Sequence, residues 1–226
     1  MDMVTWIAVG SVATAAIVFL NLFLIFIKPR LEEPKFAVEF KMGEPFCGKA
    51  SSRKLDPFIP ANKDVDVRST YWVRVSIRNS GRSVAHRCLG KLIGIWNNDE
   101  GKVIDQFEPN QLHWVTTSWG EVPFGNISLN RNDYQYLDVI VAQQGDEHLY
   151  ICGDQFPWAK YEQRAIRNRL KPGNYILHIT AYGDNVDPKT KYLSLIWGGQ
   201  HFKDIFVEIH GTFEKAKAWL DERRND

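Results

Sequence analysis

The sequence has no surplus of charge of either sign, with 28 Lys and Arg against 27 Asp and Glu and a formal net charge of +1. Phosphate backbones are bound by a basic surplus gathered on one surface, so this balance argues against a nucleic-acid partner. Cysteine is scarce as well. Cys47, Cys88 and Cys152 have no CxxC or Cys/His spacing, and an odd number cannot form a fully paired disulfide framework. Free, partly buried thiols are expected in preference to a functional thiol, as befits a reducing compartment. The common catalytic signatures are missing too: there is no G-x-S-x-G elbow, H-E-x-x-H, phosphate-binding P-loop or G-x-G-x-x-G. His86, His113, His148, His178, His201 and His210 include no pair spaced to put two ligands on one strand or helix face. Asn97 to Gly101 lacks the spaced acids of a calcium loop and reads as a hairpin turn. No cofactor, metal site or catalytic residue is expected.

One long apolar run is present. From Val4 to Ile27 there is no charged residue, and about 20 such residues in a helix span a bilayer core of about 30 Å. A cleaved signal peptide has a basic start, a shorter apolar stretch and a small-residue site, whereas this run continues into KPRLEEPK, so a retained transmembrane helix is expected. Lys28, Arg30 and Lys35 lie just past the run and no Lys or Arg precedes it, which predicts N-out, C-in topology with the remainder in the cytoplasm. The triplet Asn126-Ile127-Ser128 would be a glycosylation site only under the opposite topology. Gly10, Ser11, Thr14 and Ala15 are small residues four apart, a spacing that permits weak self-association of two helices.

Beyond the run the period changes to two. Phe36, Val38 and Phe40 alternate, and Tyr71, Val73, Val75 and Ile77 form an apolar face opposite a wet face of Trp72, Arg74, Ser76 and Arg78. Further strands are expected at Ala85 to Trp96, Val103 to Phe107, Tyr136 to Ala142, Tyr175 to Tyr182, Tyr192 to Trp197 and Phe202 to Ile209. The segment from Gln111 to Arg131 reads as strand-poor. Two helices are expected, at Trp158 to Leu170 and after a Thr212 cap, with Phe213, Ala216 and Leu220 on one side. This predicts a mainly β chain folded as an antiparallel sandwich. Its parts are an anchor at 1–30, a juxtamembrane segment with the first strand at 31–68, the sandwich at 69–210 and a C-terminal helix and tail at 211–226.

The stretch from Tyr71 to Leu92, YWVRVSIRNSGRSVAHRCLGKL, resembles the strand, Asn-x-Gly turn and strand of immunoglobulin-like and fibronectin type III-like domains. Leu170-Lys171-Pro172-Gly173-Asn174-Tyr175 is similar to the approach to strand F in those folds, which implies that Tyr175 is the corner tyrosine bonded to backbone just upstream. The chain departs from the antibody pattern in having no cysteine pair to bridge strands B and F. The resemblance implies a fold and no particular activity.

Two surfaces stand out. Lys160, Arg164, Arg167, Arg169 and Lys171 are crowded before Tyr175, either as a solvated helix face or as a contact for anionic headgroups or a membrane-associated protein partner. Trp96, Trp114, Trp119, Trp158 and Trp197 lie in or near loops, where they cap a core or, on an exported module, stack on sugars. The function expected is that of a non-enzymatic interaction module held at the bilayer. An exported carbohydrate- or envelope-binding module and an enzyme of unrecognised type are the alternatives.

Overall fold

The computed structural model describes residues 14–53, 67–104, 107–115, 125–153 and 169–223. Residues 14–22 are α-helical, Phe23–Ile27 form a π-helical turn and Lys28–Glu32 complete the stretch. Among the described residues no helix is long and apolar enough to cross a membrane, and the first part of the apolar run, with Gly10 and Ser11, lies outside them. Thr14 and Ala15 are helical and exposed.

The rest of the described chain is antiparallel β-structure. The first sheet runs β1 (Phe36–Glu39), β3 (Val67–Asn79), β9 (Tyr134–Gln143), β10 (Leu149–Ile151), β11 (Arg169–Leu170), with β2 (Cys47–Arg53) also on β3 and β7 (His113–Trp114) on β9. The second runs β14 (Ile205–His210), β13 (Val186–Trp197), β12 (Gly173–Gly183), β4 (Ala85–Asn97), β5 (Lys102–Val103). Two short strands, β6 (Asn110–Gln111) and β8 (Ile127–Leu129), pair elsewhere along β4. Alternate residues of both sheets point into one core. Val73, Val75 and Ile77 on β3 and Leu177 and Ile179 on β12 are fully enclosed, as are Leu193 and Leu195 on β13. Trp114 and Trp197 are buried in the same core.

The turn between β3 and β4 carries the chain from one sheet to the other, and Asn79 governs it. Its Oδ1 accepts from Lys35 N at 3.2 Å and Gly81 N at 3.0 Å, while its Nδ2 donates to Ser83 O at 2.7 Å and Leu129 O at 3.0 Å. The backbone N–H of Asn79 donates to Asp133 O and its carbonyl accepts from Asn132 N. One buried residue therefore joins the approach to β1, the turn, β8 and the start of β9. Gly81 fits because a Cβ there would stand 2.3 Å from Glu33 O, so no other residue allows this approach without a shift. Pro34 is buried at the same joint, and Ser80 N donates to Lys35 O.

The C-terminal helix, Phe213–Arg223, is capped by Thr212 Oγ1, which accepts from Lys215 N at 3.4 Å. Ala216 and Leu220 turn inward onto Ile176, and Ser194 Oγ donates to Ala216 O, so the helix lies on the outer face of the second sheet.

Several expectations are corrected. Trp72 and Ser76 are buried, not wet; Trp72 belongs to a second apolar cluster on the outer face of the first sheet, with Val141, Tyr150 and Cys152. The helix expected through Leu170 does not reach it: Arg169 and Leu170 pair with β10, and 154–168 lie outside the described residues. At Val103 only a two-residue strand forms, and Phe202 to Asp204 make a 3-10 turn before β14.

Asn79→Ala is expected to remove about 3 kcal/mol of stability, since several net hydrogen bonds are lost and buried partners are stranded. The urea midpoint of the variant, read beside Ser80→Ala, measures this. Equal small shifts in the two would show that the Asn79 amide holds nothing.

Candidate functional site

Ionisable side chains of β3, β7 and β9 converge on the outer face of the first sheet. A bulge creates this convergence. Val73 pairs with Ile140 and Arg74 with Asp138, so Val139 is an extra residue in β9 and Asp138 is turned outward beside Arg74. Asp138 Oδ1 accepts from Arg74 Nε at 2.7 Å, and Oδ2 faces His113 Nδ1 at 3.1 Å. An ionised Asp138 sets the His113 proton on Nδ1. His113 and Asp138 are 1% and 3% exposed, against 28% for Arg74, so the charge pair is enclosed on one side only. The Arg74 guanidinium also lies over the Trp72 ring at 5.9 Å, and Trp72 Nε1 donates to Thr70 Oγ1.

Cys152 is enclosed near this group, and His113 N donates to its carbonyl. Burial pushes its thiol well above the ordinary value, Asp138 adds to the rise and Arg74 opposes it. A thiol held protonated in this way is a poor nucleophile, so the His113 and Asp138 pair has no activated partner in Cys152. The same holds elsewhere: burial raises Cys47, and raises Cys88 to about 11. All three cysteines are free and buried. Burial raises the Tyr71 hydroxyl to about 12, and adjacent Cys47 contributes.

A second feature is an apolar groove of about 300 Å³ on the second sheet, beside the start of the C-terminal helix. Ile95, Trp96, Val103, Ile176, Tyr192 and Phe213 form most of its wall. Trp96 meets Phe213 edge-on at 5.5 Å, and His178 stacks on Tyr192 at 5.0 Å. His178 is half-buried, and burial lowers its pKa.

Of the basic group expected from the sequence, Lys160, Arg164 and Arg167 lie outside the described residues. Arg169 lies over the Tyr150 ring at 5.3 Å and Lys171 is exposed, so these two do not share a single helix face. Tyr175 Oη donates to Lys171 O at 3.0 Å across the turn into β12. Trp114 and Trp197 are buried and cannot stack on a sugar; Trp119 and Trp158 lie outside the described residues. Asp138 was not singled out from the sequence, although its charge inside the apolar stretch Tyr136 to Ala142 was a visible anomaly.

These environments have two measurable outcomes. The native protein should show almost no thiol reactive with a disulfide reagent near pH 8, and all three cysteines should react after denaturation; rapid labelling of native protein would contradict the burial. Burial also lowers the pKa of His178 and of His210, where Glu208 opposes and Lys191 and Lys215 assist. Below the unfolded value of about 6.5 the unfolded chain takes up these protons more readily, so stability falls as pH drops through that value and towards the lowered folded values. Denaturation midpoints between pH 7 and 5 should therefore flatten in His178→Gln/His210→Gln, and an unchanged slope would remove both groups from the account.

No protein-family model, curated protein or solved structure matches the chain.

Proposed function

We propose that this chain is a non-enzymatic, single-pass membrane protein whose immunoglobulin-like sandwich stands on the cytoplasmic side and presents its surface to a membrane-associated protein. The observation that carries this reading is the state of the apolar run. Where described, it is helical and bare: Ile17, Phe19, Ile25 and Phe26 are 60%, 69%, 63% and 61% exposed. A largely apolar helix with its side chains turned outward suits an apolar surrounding, and a bilayer supplies one. Lys28, Arg30 and Lys35 at its end favour the cytoplasmic face for the sandwich. Anchoring raises the effective concentration of the sandwich for any partner on the same membrane.

The immunoglobulin-like assignment is supported by order and by a corner. Strands β1, β3 and β9 lie in one sheet as A, B and E would, and β4, β12 and β13 lie in the other as C, F and G would; β10 follows β9 in the chain and has no counterpart in that pattern. The bond from Tyr175 to Lys171 O is the contact a corner tyrosine makes before strand F. Arg169 and Lys171 are the described part of the basic surface assigned to the partner contact.

Extraction and topology test the reading together. The full chain should stay with membranes in alkaline carbonate, and a reporter fused after Asp226 should respond only on the cytoplasmic side. Release into the carbonate supernatant would end the anchor; a reporter protected on the far side would reverse the topology.

A further inference from the structure

At the end of the sandwich remote from Asn79, a cleft of about 360 Å³ is lined, among the described residues, by Lys49, Ser69, Gln144, Gln200, His201, Phe202 and Lys203, with no carboxylate among these. Its geometry is built by both sheets. Phe202 stacks on Tyr71 of β3 with ring centroids 5.7 Å apart, which fixes its neighbours His201 and Lys203 against the first sheet. Lys49 is the cross-strand partner of Tyr71, so its side chain leaves the sheet on the same face. Gln144 N donates to Ser69 O at 2.9 Å and holds the third side.

The loop that brings His201 and Lys203 here is closed on itself. Asp204 N donates to His201 O at 2.8 Å, and Gly198 N donates to Asp204 O at 3.3 Å. Gly199 has φ of +90°, and a Cβ there would stand 2.4 Å from the Pro172 ring, so the sequence Gly198-Gly199 is what lets the loop seat. Asp204, next to Lys203, lies against Gly198. Among the described residues, Lys49, His201 and Lys203 take part in no ion pair.

We propose that this cleft binds a small phosphate-bearing anion. Lys49 and Lys203 supply charge-assisted donors, Ser69, Gln144 and Gln200 supply neutral ones, and the Phe202 ring forms an apolar wall for the organic part of a phosphate monoester. The site is independent of the anchor reading and stands whether or not the apolar run enters a membrane.

The test follows the His201 ring resonances of the full chain in detergent micelles during titration with inorganic phosphate and with phenyl phosphate. A saturable shift is expected, tighter for phenyl phosphate. Lys49→Gln/Lys203→Gln should weaken binding about tenfold, the sum of two partly exposed ionic contacts, whereas Lys217→Gln on the C-terminal helix should not. The single variant Lys203→Gln, checked for an unchanged melting temperature, gives the same direction if the double variant folds poorly. Competition by a short-chain phosphatidic acid separates the sources: stronger displacement than by phenyl phosphate assigns the site to a lipid headgroup, and weaker displacement assigns it to a soluble monoester. The proposal fails if no saturable shift occurs, if chloride at equal ionic strength reproduces it, or if binding survives loss of both lysines.

Discussion

A buried amide with every lone pair and proton engaged is the constraint around which this sandwich is arranged. The Asn79 side chain makes four hydrogen bonds to three separate segments, and its backbone makes two more. A turn between sheets is where backbone groups lose their ladder partners, and an enclosed group left unpaired costs about 1 to 3 kcal/mol. One residue settles several of these at once. The consequence reaches the core, because the crossing at 79–84 is what sets β3 and β4 in opposite sheets with their apolar faces towards each other.

The enclosed charges of Arg74 and Asp138 work under the opposite rule. Removing two ions from water carries a penalty that good geometry only offsets, so such a pair says more about specificity of packing than about net stability. Here the bulge at Val139 supplies the geometry, and His113 takes the second carboxylate oxygen. Cys152 beside them stays protonated through burial, and the arrangement reads as a fastened polar group between β3, β7 and β9.

The antiparallel β-class was legible because alternation survives in single strands: Val73, Val75 and Ile77 needed no partner to declare their face. The C-terminal helix was legible from Thr212 and the spacing of Phe213, Ala216 and Leu220. Short strands such as β7 and β11 were not, since two residues carry no period. The burial of Trp72 was hidden for a different reason: a second apolar layer on the outer face depends on Val141, Tyr150 and Cys152, which arrive from far along the chain. The phosphate cleft was equally invisible, because Lys49 and Lys203 meet only through the stacking of Phe202 on Tyr71.

The segment from Glu33 to Lys35 is short and fastened, with Glu33 O against Gly81, Pro34 enclosed and Lys35 bonded to Asn79 and Ser80. Such a coupling has no slack in which to dissipate a twist. A pull on the chain just ahead of β1 is therefore met first by the Asn79 turn, which also joins the two sheets.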